Sequence, residues 1–454
     1  MRRTVVCYGK SATSALRSGI RYIPWFVMLN MTLTPQDFDA QLAGHPHRSY
    51  YAGGNLKRMQ SIEDLRARTH KLMPKIVLEY LEGGSGEEAT LSRELEAFTD
   101  WRFVPHTLVD EHDRSVSRDI LGRRAEMPLL IAPTGLNGIM RRHADLDLAK
   151  GAARSGVPFI QSTMSNETME DVARVEGLRH WWQLYVFGGD EIWQSLVDRA
   201  NDCGCEALVL TTNSQIFGQR DWYARTRMTQ TMPSIPTVFN AARHPRWLAT
   251  TLNHGMPSFA NVAQYVPKEH SSFFKSAFWI RSQMPKTLSW DHVAKIRDRW
   301  KRPFFLKGLL HPDDVARAKE SGVDGVILGS HGGRQGDWAI SALDMLPRAR
   351  EIVGDDMALY MSGGIRRGTD ILKAIALGAD AVLAGRAPLY GLCAAGADGV
   401  ARALELLRGE MMNELGQMGA RSMDTLSPDL LVRRRDLPLA PSGSDALSAA
   451  PALG

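Results

Sequence analysis

The sequence predicts a closed (β/α)8 barrel with a helical prelude before it and a long insertion between its fourth and fifth strands. Strand-sized apolar runs alternate with segments of helical period over about 290 residues. An open doubly wound sheet would also alternate, but eight evenly spaced units favour closure. The predicted strands are 128–133, 158–162, 182–187, 206–211, 303–307, 323–328, 357–361 and 380–384.

The segments that flank the barrel set the predicted domain boundaries. Residues 61–82 have a helical period and form the prelude, and a closing helix is predicted at 396–417. The barrel domain is therefore expected to cover residues 57–430. The tail at 431–454 is small and polar, which predicts disorder.

Residues 1–56 form a predicted N-terminal extension whose first 36 residues carry five basic side chains and no acid. This composition is compatible with a targeting sequence or a membrane-surface arm. The alternative is an upstream translation start, with the protein beginning at Met28 or Met31, and we favour that interpretation.

The insertion at 226–290 breaks the regular spacing, since about ninety residues separate strands four and five where about thirty would suffice. It carries seven basic residues against Glu269 alone, interleaved with nine aromatic residues. Rings at headgroup depth and cations near phosphates suit an anionic membrane surface. An active-site lid or an oligomer contact is the alternative.

Composition limits the classes of function. The net charge of +5 is concentrated in 1–36 and 226–290, so the barrel is acidic and nucleic-acid binding is not indicated. No apolar stretch approaches the ~18 residues of a membrane span. The four cysteines show no framework spacing and indicate reduced thiols in a cytosolic protein. Metal ligation by Cys203 and Cys205 is less favoured than a structural role, and no metal site is predicted.

Polar residues follow most of the predicted strands, where the functional loops of such barrels lie. The glycines of SGGIRRGTD (362–370) and of AGRAPLYG (384–391) precede arginines and a helix start, which predicts a phosphate site after strands seven and eight. Ser162, Gln183, Thr211 and Lys307 end other strands and could hydrogen-bond a flat heteroaromatic ring. A lysine beside that ring would stabilise negative charge developing on it.

The loop after strand six reads GSHGGRQ and carries His331 and Arg334. Together with KLMPKIVLEYLEGGSGEE and SGGIRRGTDILKAIALGADAVLAGRAPLYGL, it resembles the FMN-dependent α-hydroxy acid oxidases and dehydrogenases over roughly residues 57–430. The resemblance implies an enzyme that uses FMN to oxidise an (S)-2-hydroxy acid, an aromatic one among the candidates, to the 2-oxo acid.

The resemblance also implies a role for each matching residue. His331 would be the base, Arg220 and Arg334 would clamp the substrate carboxylate, and Tyr80 and Tyr185 would lie near its hydroxyl. The residues implied to hold FMN are Pro133, Thr134, Ser162, Gln183, Thr211, Lys307, Ser362, Gly364, Arg366, Gly385 and Arg386. Two arginines match a carboxylate bidentately, and histidine has the right pKa to take a proton near neutrality.

Three departures from the family pattern stand out. The family's Ser-Asn-His is Gly329-Ser330-His331, and Ser362 replaces an aspartate that would contact the ribityl chain. Asn213 stands where the family has an aspartate paired with the catalytic histidine. Asparagine adds no charge to stabilise an imidazolium, so weaker basicity is expected. The alternative function is therefore a family member with weakened or diverted flavin chemistry, or an FMN-binding protein with little turnover.

The expected partners are a small-molecule 2-hydroxy acid and an electron acceptor, either a quinone or O2. The resemblance implies a homo-oligomer, a homotetramer. The basic aromatic insertion predicts peripheral contact with the inner face of the membrane for a protein that is otherwise cytoplasmic.

Overall fold

The computed structural model describes residues 49–437 except 111, 230–231, 253–254 and 285–287. The description below concerns the compact unit that begins at Tyr51. The predictions for residues 1–48, including a start at Met28 or Met31, lie outside the described residues.

Eight parallel strands form the predicted closed barrel, and all of the predicted strand positions are occupied. Val382 pairs with Leu129 and Phe304 pairs with Leu208, so the two halves of the sheet are joined on both sides and no edge is left open. The strands are β1 (Leu129–Ile131), β2 (Phe159–Ser162), β3 (His180–Leu184), β4 (Leu208–Thr211), β5 (Phe304–Leu309), β6 (Gly325–Leu328), β7 (Ala358–Ser362) and β8 (Ala381–Ala384).

A helix follows each strand and covers the outside of the barrel. These helices are α1 (Ala144–Arg154), α2 (Met169–Ala173), α3 (Asp190–Asp202), α4 (Trp290–Arg299), α5 (Pro312–Glu320), α6 (Ala342–Val353), α7 (Gly368–Ala376) and α8 (Arg386–Gln417). Helix α8 is kinked at Ala395 and Gly396, so its second half matches the predicted closing helix. Because both faces of the strands are covered, they read as continuous apolar runs.

The barrel interior is filled rather than hollow. Trp181, Phe305 and Tyr360 stack on one another between the strands, with ring centroids 5.1–6.3 Å apart. The antiparallel strands Arg118–Ile120 and Arg123–Ala125 bring Ile120 against this cluster. The amino-terminal end is thereby packed, which leaves the carboxyl-terminal end for a cavity.

The predicted prelude consists of the helices Ile62–Leu72 and Lys75–Glu82, and a third helix, Ala89–Glu96, follows them. Ser61 starts the first helix with a capping box in which Asp64 is the reciprocal partner. Helix Ile62–Leu72 packs on α8. The prelude is thus part of the barrel's outer layer.

The strand Leu431–Arg433 pairs antiparallel with Trp101–Phe103, so folded structure extends past the predicted boundary at residue 430. The expectation of a disordered tail from 431 is wrong for these residues, because their backbone groups are satisfied by the pairing. The predicted tail from 438 onward lies outside the described residues.

The long insertion is present between β4 and β5. It contains the helices Asp221–Ala224, Ile235–Ala242, Pro245–Trp247 and Phe273–Ser282 and the short strands Arg227–Thr229 and Met232–Pro233. Within the described part of the chain, no helix combines the length and the apolar character needed to cross a bilayer.

Candidate active site

A cavity of about 830 Å³ opens at the carboxyl-terminal ends of the strands. The barrel loops form its floor, and Tyr80 of the helix Lys75–Glu82 forms part of its wall. The inserted helix Phe273–Ser282 contributes another part of the wall. Residues from three separate regions of the sequence therefore meet around one cavity.

His331 lies at this cavity in a left-handed backbone conformation, with φ of +61°. Its Nδ1 is 3.2 Å from Oδ1 of Asn213, whose Nδ2 donates to the carbonyl of Gly329. Since that amide oxygen can only accept, it selects the tautomer with the proton on Nδ1. Nε2 is then unprotonated and lies 3.4 Å from the Tyr185 hydroxyl. Asn213 therefore orients the imidazole as an aspartate would, but without a charge.

Arg220 and Arg334 line the same cavity and lie close to each other. Nε of Arg220 donates to the Arg334 carbonyl at 3.2 Å. One nitrogen of Arg334 donates to the carbonyls of Tyr80 and Gly83, and its guanidinium lies 4.9 Å from the centre of the Tyr80 ring. The Tyr80 hydroxyl donates to the Gly135 carbonyl. These contacts fix both arginines while leaving donors that can face a ligand.

The cavity is strongly positive. Burial lowers the pKa of Arg220 to about 9 and that of Lys307 to about 8, and repulsion from Arg334 adds to the effect at Arg220. Burial also holds the pKa of His331 well below its usual value, and the nearby cations lower it further. His331 is therefore neutral at pH 7, and an anion bound here would relieve the repulsion among the cations.

The residues fit an FMN ring system. Oγ1 of Thr134 and Nε2 of Gln183 are buried without hydrogen-bond partners among the described residues, and Ser162 donates to Oε1 of the same Gln183 at 2.9 Å. Lys307 is 4% exposed and lines the cavity. Unsatisfied buried polar atoms are rare unless a ligand pairs with them. All the predicted cofactor residues line the cavity except Gln183 and Thr211, which are buried in β3 and β4.

The phosphate end differs in detail from the expected one. The backbone amides of Arg366 and Arg367 donate to the Asp370 carboxylate, and that of Gly368 donates to Glu410. A helix start after two glycines predicts free backbone amides for a phosphate, and for these three amides that expectation is wrong. Arg366, Gly364 and Gly385 remain at the cavity as candidate phosphate contacts.

Arg386 also lines the cavity, but most of its donors serve the protein. They bind the carbonyls of Leu81, Glu82, Gly83 and Gly332 at 3.0–3.4 Å. Arg386 therefore ties the end of the helix Lys75–Glu82 to the loop after β6, besides lending its charge to the site.

Sequence reasoning missed several cavity residues. The pattern of the insertion favours a membrane surface or a lid, but Phe259 and Trp247 are buried, and Phe273 and Phe274 line the cavity. The interleaved pattern of rings and cations does not tell inward from outward side chains. Glu94 does not line the cavity but is buried behind Gly363 and Gly364, and it was also missed, because an acid in a helix usually faces solvent.

The cysteines that the structure describes are wholly or partly buried. Cys205 and Cys393 are buried thiols and Cys203 is partly buried, and Cys7 lies outside the described residues. The described residues contain no group of three or more His, Cys, Asp or Glu side chains arranged to hold a metal ion.

Comparison with known proteins gives consistent matches. The family model of FMN-dependent dehydrogenases matches residues 69–433. The (S)-mandelate dehydrogenase of Pseudomonas putida is 42% identical over 373 residues, which cover 82% of this chain and 93% of that protein.

Solved structures agree with the sequence matches. A crystal structure of the monotopic membrane protein (S)-mandelate dehydrogenase has a TM-score of 0.79 and 41% identity, covering 83% of this chain and 99% of that one. A structure of mandelate oxidase with (S)-2-phenylpropionate has a TM-score of 0.68 and 32% identity, covering 81% and 96% of the two chains.

Proposed function

The chain belongs to the FMN-dependent dehydrogenase family, and from that premise we propose that it oxidises an aromatic (S)-2-hydroxy acid to the corresponding 2-oxo acid. The observation that carries the proposal is the position of His331 Nε2 beside Tyr185 in a cavity that Arg220 and Arg334 also line. The family matches favour turnover over the alternative of a flavin protein with little activity.

The substrate carboxylate would bind between Arg220 and Arg334. Each guanidinium is desolvated, and the pKa of each is lowered by burial. An anion held by both would remove the repulsion between them and fix the α-carbon.

The FMN ring would be held by Thr134 and Gln183, whose buried polar atoms lack partners among the described residues, and by Ser162 and Lys307. Arg366, Gly364 and Gly385 would lie toward its phosphate. When bound, FMN would be the oxidant and would accept the two electrons that the substrate loses. The Lys307 ammonium would stabilise negative charge on the ring.

His331 would accept a proton from the substrate at Nε2, since Asn213 keeps the proton of the neutral ring on Nδ1. The Tyr185 pKa is raised to about 12 by burial, so its hydroxyl stays protonated and can donate a hydrogen bond. No carboxylate balances the imidazolium that forms, and the step is expected to be slower than with an aspartate at position 213.

The preference for an aromatic acid rests on the wall of the cavity. Phe217, Phe259, Phe273 and Phe274 line it together with Leu136. Such a wall suits a phenyl group, because burying a ring against other rings stabilises it by about 0.5–1.5 kcal/mol beyond its area.

The test is anaerobic reduction of the protein-bound flavin by a panel of aryl and alkyl (S)-2-hydroxy acids, followed by absorbance. We expect the (S)-aryl acids to bleach the flavin fastest. His331→Gln is the matched control, since it should retain FMN and lose the reaction. An oxidised flavin after hours with every acid in the panel would contradict the proposal.

We also propose that the insertion attaches the protein to the membrane surface. Its exposed apolar side chains include Met232, Ile235, Val238, Phe239 and Met256. They lie in a segment with many cations, and apolar side chains beside cations favour an anionic bilayer surface. Membrane attachment favours a quinone over O2 as electron acceptor.

Flotation with anionic liposomes tests this attachment. Replacing Ile235, Val238 and Phe239 by serine should abolish flotation, and Leu108→Ser, at an exposed apolar position outside the insertion, should not. Equal flotation of all three proteins would contradict a role for the insertion. Light scattering on the purified protein tests the homotetramer, which rests on the family resemblance.

A further inference from the structure

Glu94 is a buried carboxylate beside the cofactor site that none of the steps above uses. It lies in the helix Ala89–Glu96 and is 1% exposed. Its Oε1 accepts a hydrogen bond from the Ser330 hydroxyl at 2.5 Å. Its Oε2 is buried and has no hydrogen-bond partner among the described residues.

The carboxylate lies directly behind the glycines that follow β7. A Cβ on Gly363 would be 2.2 Å from Oε2 of Glu94, and one on Gly364 would be 2.0 Å from the Glu94 carbonyl. Both glycines have positive φ, +137° and +72°. Only glycine therefore leaves room for Glu94 at this position.

Two cations of the cavity, Lys307 and Arg386, interact electrostatically with this acid. The Glu94 charge acts on the Lys307 ammonium, and that of Arg386 acts on Glu94. Burial raises the pKa of Glu94 to about 7. The Ser330 hydroxyl lowers it, as do the backbone amides of Ala342 and Ser330, which lie near the carboxylate but do not meet hydrogen-bond geometry. An uncompensated buried acid costs several kcal/mol, so a purely structural position would favour an apolar residue.

A structural role explains the contact made by Oε1 of Glu94 but not the position of Oε2. Ser330 Oγ also accepts the amide of Gly333, so Oε1 of Glu94 helps to hold the loop that carries His331. The unmatched Oε2 and the electrostatic link to Lys307 are left without a structural reason. Ser362, which stands where the family resemblance places an acid, lines the cavity next to Gly363.

We propose that Glu94 is a positioning residue of the flavin site, supplying from the helix before the barrel the negative charge that this chain lacks at Ser362. Its charge lies behind Gly363 at the flavin site and limits how much negative charge the cations of the site stabilise on the ring. The inference rests on the proposed placement of FMN beside Lys307.

The experiment is a reductive titration of the holoprotein with dithionite against a reference dye at pH 7.5, above the pKa of Glu94 (about 7) and below that of Lys307 (about 8), so that both groups are mostly charged. Glu94→Gln removes the charge and keeps the shape, so the bound flavin should become easier to reduce. We expect the ratio of reduced to oxidised flavin at a fixed potential to rise about tenfold, which is about 30 mV for a two-electron couple. Ser330→Ala removes the hydrogen bond but not the charge, and should change the ratio less than about threefold.

A second variant moves the carboxylate across Gly363. Glu94→Gln combined with Ser362→Asp should return the ratio to near the wild-type value, and Ser362→Asp alone should weaken FMN retention because two acids would then flank one glycine. If Glu94→Gln loses FMN, recovery of FMN in the double variant supports the inference.

Two results would overturn it. One is a Glu94→Gln protein whose flavin has the wild-type potential while its melting temperature falls, since that marks a structural role alone. The other is a double variant that fails to recover FMN after Glu94→Gln has lost it. Dithionite replaces the hydroxy acid, so an incorrect substrate assignment does not affect either outcome.

Discussion

Replacing Asn213 by aspartate should convert His331 into a stronger base. Asn213 Oδ1 is 3.2 Å from His331 Nδ1, and the aspartate would place a full charge there. At an effective dielectric constant of about 20, two unit charges at that separation attract by about 5 kcal/mol. Burying the new charge has a cost, and we take about half of this attraction to remain as stabilisation of the transition state. Flavin reduction should then accelerate about 50- to 100-fold.

The assay is stopped-flow flavin reduction under anaerobic conditions with a saturating (S)-hydroxy acid, at pH values from 5 to 9. Burial and four cations hold the pKa of His331 well below its usual value in the wild type, so the acid limb of the wild-type rate should lie at lower pH than that of the variant. Above neutrality both proteins should share the changes that come from Lys307 and Arg220, whose pKa values are about 8 and about 9. In the variant the rate should fall as pH drops through the raised pKa of the histidine, since protonation removes the base.

Asn55→Asp is the matched control for this variant. Asn55 is exposed and accepts the Lys57 amide through its side chain, a contact that aspartate keeps. It adds the same charge at a position that does not line the cavity and should leave the rate and its pH profile unchanged. A variant at Asn213 with full flavin content, a rate within about twofold of the wild type and no acid limb would refute the reasoning, because the expected coupling is far larger.

Three further predictions follow from single contacts. In the cofactor-free protein the pKa of Glu94 is about 7, above its value in the unfolded chain. Protonation of Glu94 therefore stabilises the fold by about 3 kcal/mol below pH ~4.5, and this contribution is lost as pH rises through 7. The free energy of unfolding of Glu94→Gln, measured with urea at pH 5 and 8, should lack this pH-dependent contribution. Gly363→Ala should lower stability by about 2 kcal/mol or more, because its Cβ would meet the Glu94 carboxylate and its φ is positive. Arg334→Met should raise the KM for the hydroxy acid about 100-fold with less effect on FMN content, since it removes one side of the carboxylate clamp.

Each of these has a contradicting outcome. If the free energy of unfolding changes equally with pH in the wild type and in Glu94→Gln, the pKa of Glu94 lies near its ordinary value. Gly336→Ala, with open space around its Cβ, should be tolerated, and similar losses at Gly363 and Gly336 would remove the steric argument. Arg348→Met, in an exposed ion pair with Glu351, should leave KM unchanged, and an unchanged KM in Arg334→Met would exclude the clamp.

The alternation of apolar runs and helical segments was enough to predict the barrel, because each strand buries both faces and therefore shows in sequence. The same order predicts which residues end the strands. His331, Arg334, Lys307 and Ser162 line one cavity as expected, since the carboxyl ends of parallel strands meet at one end of a barrel.

Contacts between distant segments could not be obtained in this way. Phe273 and Phe274 belong to an insertion whose pattern does not say which side faces the barrel, and the structure turns them into the cavity. The amides at the start of α7 looked free in the sequence, but Asp370 and Glu410 satisfy them.

The sequence by itself determined the barrel, the family and the residue types of the site, including the uncharged partner at Asn213. Only the tertiary structure decided that Asn213 still selects the tautomer of His331, and that an acid from the helix Ala89–Glu96 lies behind Gly363. The physical reason is distance: hydrogen bonding and charge coupling act over a few ångströms, and Glu94 and Gly363 come within that range only when the chain has folded.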